Sequence, residues 1–212
     1  MIQWVYEQAQ KSHSLDEVIV ATDDIRISKA VEAFGGKVMV TQNEHANGTS
    51  RCAEVAKQLS TDYVVNIQGD EPYLEPEQID ALTSILDGQV EIGTLVHRIH
   101  DTGKLLSPNT AKVVLDKYGN ARYFSRQPIP HVRDLEVEQW IETYTFWQHV
   151  GIYAYRTDIL QKIVTLPPGN LEIAESLEQL RWLENGYSIR CAETQYEPFG
   201  IDTLEDLKKA QG

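Results

Sequence analysis

Apolar positions along this chain keep two rhythms, one of period near four and one of period two. Ile2, Val5, Tyr6 and Ala9 fall at i, i+3, i+4 and i+7, so the chain opens inside an amphipathic helix with no strand before it. Val18 to Thr22 then reads as a strand, Asp23 or Asp24 as a helix N-cap, and Gly35-Gly36 as the stop of a helix running through Phe34. Val38 to Val40 is a further short strand, and a helix from Cys52 to Leu59 leads into the β-branched run Tyr63 to Ile67. Alternation of this kind predicts an α/β fold, a doubly wound and mostly parallel sheet covered by helices.

The rhythm changes in the middle. Gly93 to His97, Lys112 to Asp116 and Ala121 to Ser125 read as strands, the last two joined by the turn-like Lys117-Tyr118-Gly119-Asn120. Pro128 and Pro130 break the pattern, a charged stretch runs from Arg133 to Glu142, and alternation resumes at Val150 to Tyr155. Residues of roughly 97–150 are thus expected to form an antiparallel insertion within a single domain spanning 1–212. Its hairpins and the apolar Tyr144, Phe146 and Trp147 suit a homodimer contact. Helices are expected at Asp158 to Val164 and Leu171 to Asn185, a strand at Tyr187 to Ala192 and a last helix from Thr203.

At 212 residues and 42% hydrophobic content the chain can bury one sizeable core, and it holds no apolar run long enough for a membrane span. Its net charge of −13 opposes attraction to nucleic acid, so an anionic substrate must meet locally placed Arg, Lys or a metal. Cys52 and Cys191 lack metal-type spacing and no signal peptide is visible, which fits the cytoplasm.

Candidate chemistry gathers where strands end. Asp70 follows Asn66-Ile67-Gln68-Gly69 and precedes Glu71-Pro72, at the carboxyl end of a strand where α/β sheets bind ligands. It is either a Mg²⁺ ligand, hard cations preferring carboxylate oxygen, or a residue of turn geometry. Asp202, after Phe199-Gly200-Ile201, is either a second carboxylate on that metal or, with Glu205, a capping box. Gly48-Thr49-Ser50-Arg51 opens a helix whose free N–H groups suit a polar ring edge or an anion, while Thr49 or Ser50 also suits a plain N-cap. Arg126 can fork onto a carboxylate or stack at the surface, and His149 and Tyr153 can bond a hydroxylated ligand or serve the interior. Glu178 and Gln179 lie on a helix whose leucines face the core, where polar residues commonly face solvent. No G-x-G-x-x-G follows a strand, which disfavours a dehydrogenase.

In order along the chain, Ala21-Thr22-Asp23, Gly48-Thr49-x-Arg51, Asn66 to Pro72, Pro108-Asn109 through Asp116, Tyr123 to Arg126, His149-x-Gly151-Ile152-Tyr153, Leu177 to Arg181 and Gly200 to Thr203 resemble the 3-deoxy-manno-octulosonate cytidylyltransferases, or CMP-Kdo synthetases. The resemblance implies a nucleotide-diphospho-sugar transferase-like fold and transfer of CMP from CTP onto Kdo with release of pyrophosphate, for lipopolysaccharide synthesis. It implies Asp70 and Asp202 as catalytic ligands of Mg²⁺, Gly48 and Thr49 as readers of cytosine, and Arg51 as support of that loop. Gln68, Arg126, His149, Tyr153, Glu178 and Gln179 would line the sugar-acid site. Two departures stand out. The family's usual opening strand and basic phosphate loop, I-P-A-R-x-x-S-x-R-x-P-G-K-P, would precede Met1, so the chain as written is expected to turn over poorly; and Asn47 stands where Ser is usual. A CMP-sialate synthetase and a non-catalytic binding protein are the rival readings.

Overall fold

The computed structural model describes residues 1–197. Helix α1 (Ile2–Ala9) buries Val5, Tyr6 and Ala9, the face set by their spacing. Strand β1 (Val20–Thr22) leads to α2 (Ile25–Ala33), capped by Asp24, whose carboxylate accepts from the Arg26 amide at 2.7 Å. Gly35, at φ +79°, turns the chain out of that helix into β2 (Val38–Val40). Then follow α3 (Gly48–Ala56), β3 (Tyr63–Asn66), α4 (Pro76–Thr83), β4 (Ile92–Arg98) and α5 (Thr102–Leu106). The hairpin of β5 (Lys112–Leu115) and β6 (Ala121–Ser125) turns at Gly119, φ +80°. A 3-10 turn (Val137–Gln139), α6 (Trp140–Thr143), β7 (Trp147–Arg156), α7 (Thr157–Ile163), α8 (Asn170–Glu175), α9 (Gln179–Glu184) and β8 (Ile189–Glu193) complete the order.

Strand β7 organises the larger sheet. One of its edges carries β4 along nearly its whole length, and the other carries β5 near Trp147 and β3 near Tyr153 to Arg156, all antiparallel. Strand β8 lies parallel to β4 on the far side. The α/β class stands, but parallel pairing is confined to β1–β2 and β4–β8 among the described strands. Local alternation announced the elements; it carried no signal for the long-range return of β7 between β3 and β4. Strand β1 pairs with β2 and β3 with β7, and each leaves its other edge without a strand among the described residues.

Helices cover both faces of this sheet. On one, Val5 and Ala9 of α1 and Ile79 and Leu82 of α4 pack with Leu95, Val150 and Ile152. On the other, Ala53 of α3, Leu160 of α7 and Leu180 and Trp182 of α9 pack with Ile92, Val96, Phe124 and Tyr155. Alternate residues of β4 thus enter opposite cores, which is why Ile92 to Val96 is buried without a break rather than in alternation.

Three expectations need correction. The helix expected over 171–185 is two helices, because Ser176 adopts a left-handed conformation at φ +52° and ends α8. Helix α4 went unforeseen, although Pro76 at its first turn and Gln78, accepting from the Glu75 amide at 3.0 Å, are its start signals. Of the three aromatics offered as contact surface, Phe146 is buried in a small separate core with Ile99, Leu105 and Trp140, and Trp147 packs on the main core; Tyr144 stays exposed. The short turn through α6 gives this region an interior of its own.

Candidate active site

The candidate residues of the described chain arrive at the start of α3, the β3–α4 turn with its neighbour β7, the end of β6 and the start of α9. Helix α3 begins at Asn47, whose Oδ1 accepts from the Ser50 amide at 2.9 Å while Ser50 Oγ stands 3.4 Å from the Asn47 amide. The cap is therefore Asn47, not Thr49 or Ser50, which lie inside the helix. Gly48 faces the Asn66 amide group at the end of β3; a Cβ there would stand 3.7 Å from it. Thr49 is buried and donates through Oγ1 to Glu178 Oε2 at 3.0 Å. Arg51 reaches back across the ends of β1 and β2, 3.2 Å from Asp23 Oδ1 and donating to Thr41 Oγ1 at 2.5 Å. Its charge ties this loop to the ends of the two strands.

Gln68, Gly69 and Asp70 form the turn after β3, with Gln68 exposed and Asp70 half-buried. This turn lies against a bulge in β7. The ladder pairs Thr94 with Tyr153 and then Leu95 with Val150, so β7 holds Gly151 and Ile152 in excess of its partner. The buried Thr94 hydroxyl pins the bulge, standing 3.2 Å from Val150 O, 2.9 Å from Ile152 O and 3.1 Å from His149 Nε2. A Cβ at Gly151 would meet Glu71 Oε1 at 3.6 Å and Gln68 Nε2 at 3.9 Å, so the missing side chain gives the turn its space. Across the bulge the rings of His149 and Tyr153 come to 5.2 Å. The edge of Phe124 meets the His149 ring as well, and this enclosure pushes its pKa down to about 4, so the imidazole is neutral near pH 7.

Tyr153 and Gln179 are 8% and 4% exposed, yet the Tyr153 hydroxyl and Gln179 Nε2 have no hydrogen-bond partner among the described residues. Tyr153 meets Trp182, three residues along α9 from Gln179, edge-on at 5.2 Å. Buried polar groups are nearly always bonded, so these unpaired ones on neighbouring elements stand out among the described residues.

Arg126 has a different part in this structure. Its guanidinium donates to the carbonyls of Glu175 (2.7 Å), Pro108 (2.9 Å) and Ser176 (3.2 Å), and its amide to Glu175 Oε2 at 2.8 Å. Beneath it the fully buried Lys112 ammonium donates to the carbonyls of Ser107, Thr110 and Arg126; burial pushes its pKa down to about 8. Lys112, Glu175 and Thr94 are residues whose parts sequence reasoning passed over, and Asn47 was noted only as a departure. Only Asn47 carried a local signal, as an Asn directly before a helical Gly. Asp202 lies outside the described residues, and none of these forms a cluster of three or more His, Cys, Asp or Glu able to hold a metal.

Comparison with known proteins follows the same lines. A family model described as cytidylyltransferase matches residues 1–190. The 3-deoxy-manno-octulosonate cytidylyltransferase of Cytophaga hutchinsonii is 51% identical over 98% of this chain and 84% of its own length. That of Parabacteroides distasonis is 49% identical over 99% of this chain and 86% of its own. Among solved structures, a CMP:2-keto-3-deoxy-manno-octonic acid synthetase complexed with CTP superposes with a TM-score of 0.92 at 42% identity, over 99% of this chain and 85% of that one.

Proposed function

We propose, from the premise that this chain belongs to the cytidylyltransferase family, that it transfers CMP from CTP to the anomeric hydroxyl of Kdo, releasing pyrophosphate, in lipopolysaccharide precursor synthesis. Nucleotidyl transfer is the reaction class of the family; the acceptor is the finer part of the reading. What supports Kdo, beside the names of the relatives, is that the Tyr153 hydroxyl on β7 and the Gln179 amide at the start of α9 are, with Gln148 Oε1, the buried polar groups left unpaired among the described residues. A polyhydroxylated acid offers both the acceptor and the donors these groups lack.

The residues divide the work. The first turn of α3, with Gly48 and Thr49, takes the nucleotide base, and Arg51 holds that turn to β1 and β2. Gln68, His149, Tyr153 and Gln179 orient the sugar acid; the neutral imidazole of His149 can give or accept a hydrogen bond without adding charge. Arg126, with its fork spent on carbonyls, serves by shaping this wall, and turns to a substrate carboxylate only by releasing one of them.

Asp70 fits a Mg²⁺ ligand by the chemistry of its oxygens and its place on the turn; one or two carboxylates plus substrate phosphates make up the usual set for that ion, with Asp202 as the second. Bound Mg²⁺ would neutralise charge building on the attacked phosphate. A homodimer and a cytoplasmic location complete the reading, the latter in keeping with Cys52 and Cys191 both being free thiols. No helix of the described residues is long and apolar enough to cross a membrane.

Pyrophosphate release from CTP with Kdo and Mg²⁺ tests the proposal. Release with Kdo, however slow, and none with N-acetylneuraminate is expected. Preference for the sialic acid would move the chain to the rival synthetase, and nucleotide binding without any release would make it a binding protein.

A further inference from the structure

Glu178 precedes α9, and its carboxylate faces the start of α3 rather than open cleft. Oε1 accepts from Asn47 Nδ2 at 2.7 Å and Oε2 from Thr49 Oγ1 at 3.0 Å, a contact between segments about 130 residues apart. Partial burial pushes this carboxyl above its ordinary pKa, and the two donors are what sustain a charge there.

Both ends of this bridge are held. Asn47 uses its whole amide: Oδ1 caps α3 through the Ser50 amide, and Nδ2 goes to Glu178, so the helix start and the bridge fix one another. On the other side, the left-handed turn at Ser176 sets the direction of the chain into Glu178. Arg126 grips the Glu175 and Ser176 carbonyls of that turn, and the Glu175 carboxylate accepts from Ser125 Oγ at 2.7 Å. One carboxylate therefore spans the turn assigned to the nucleotide and the wall assigned to the sugar acid.

We propose that Glu178 is a positioning residue for the cytidine nucleotide, fixing the Asn47–Thr49 turn in its binding form and coupling that turn to the sugar-acid wall. The inference rests on the cytidylyltransferase reading above and adds to it a role that the sugar-lining assignment of Glu178 does not contain. Linkage then makes the effect reciprocal: occupation of the sugar wall that orders Glu178 tightens the nucleotide by the same factor that nucleotide tightens the sugar acid.

The test is CTP binding by calorimetry with Mg²⁺ and no sugar acid, followed by the KM of each substrate. Glu178→Ala and Asn47→Ala are each expected to weaken CTP by about tenfold, and the double variant by little more than the worse single one, as for two ends of one contact. Glu178→Gln should recover part of the loss, because its amide oxygen can still accept from one donor. Asn47→Ser keeps a competent cap while removing Nδ2, and covers the case in which Glu178→Ala folds poorly; it too should weaken CTP. Unchanged CTP affinity in Asn47→Ser or in a well-folded Glu178→Ala, with only the Kdo KM raised, overturns this inference and leaves the cytidylyltransferase reading standing. A wild-type chain that neither binds CTP nor releases pyrophosphate overturns both.

Discussion

The residues proposed for the nucleotide and those proposed for the sugar acid differ in how their polar groups are satisfied. At the start of α3 the side chains of Asn47, Thr49, Ser50 and Arg51 all have partners within the protein. On the other side Tyr153 and Gln179 keep buried polar atoms unpaired. The first side is a finished surface, shaped before anything binds; the second holds desolvated groups whose bonds wait for a ligand. Leaving such groups unmet costs stability of about 1–3 kcal/mol each, and that free energy is recovered when a ligand meets them.

The largest expected effect falls at Asp70, on the turn where the two sides meet. Asp70→Asn should lower turnover by orders of magnitude with little change in the unfolding midpoint, because charge compensation at the phosphate is lost while packing is kept. Full turnover in that variant at limiting Mg²⁺ would remove Asp70 from the metal assignment.

His149 offers a test by pH. Its folded pKa of about 4 lies below the unfolded value of 6.5, so the unfolded chain binds the extra proton first as acid is added. Stability from this group is fully present above pH 6.5 and drains away as pH falls toward 4, by at most about 3 kcal/mol. Denaturant melts between those limits should show the slope, and His149→Gln should flatten it; an unchanged slope would place the titrating group elsewhere.

Arg126→Lys comes next. A lysine cannot reproduce a fork that meets three carbonyls, so a loss of about 1–3 kcal/mol in chemical denaturation is expected, together with weaker sugar-acid binding as the Ser176 turn loosens. A variant as stable as wild type but unable to bind the sugar acid would instead show that the guanidinium leaves its carbonyls to meet the substrate.

The smallest stability change and the sharpest contrast between the two sides belong to Tyr153→Phe. Removing an unpaired hydroxyl should leave stability unchanged or raise it by about 1 kcal/mol, while the KM for Kdo rises. The matching change on the nucleotide side, Thr49→Val, removes a bonded hydroxyl and should destabilise. If both variants destabilise alike, Tyr153 has a partner in the folded chain and the contrast fails.

Much of this was legible in the chain itself. The period-four face of α1, the Asp24 cap and the Gly119 hairpin each declare themselves within a few residues, and the ordered motifs brought the family with them. The break at Ser176 was not legible, since Leu171, Leu177, Leu180 and Leu183 keep an apolar pattern through it while distant groups such as Arg126, which donates to the Ser176 carbonyl, help hold the left-handed turn. Nor was Glu178's partnership with Asn47, which depends on folding two distant helix starts together. Arg126 was read as a ligand contact because sequence shows a guanidinium and not the carbonyls around it. The insertion misled in the same way, its aromatics looking free until Trp140 and Phe146 were seen to stack at 6.2 Å.

The bulge in β7 carries two residues more than its ladder with β4 requires. Two is an even number, and an even excess leaves the alternation of faces untouched: Val150 before it and Ala154 beyond it enter the same core and would keep the same sense without it. Deleting Gly151 and Ile152 would therefore leave a strand that still pairs and still buries its apolar side. What it would erase is the loop of slack that folds His149 toward Tyr153 and opens room for the Gln68 turn. A length of strand that the β4 ladder does not demand is thus a ruler for the candidate site, and the substrate a sheet of this kind accepts can change by counting residues while its alternation of faces stays as it was.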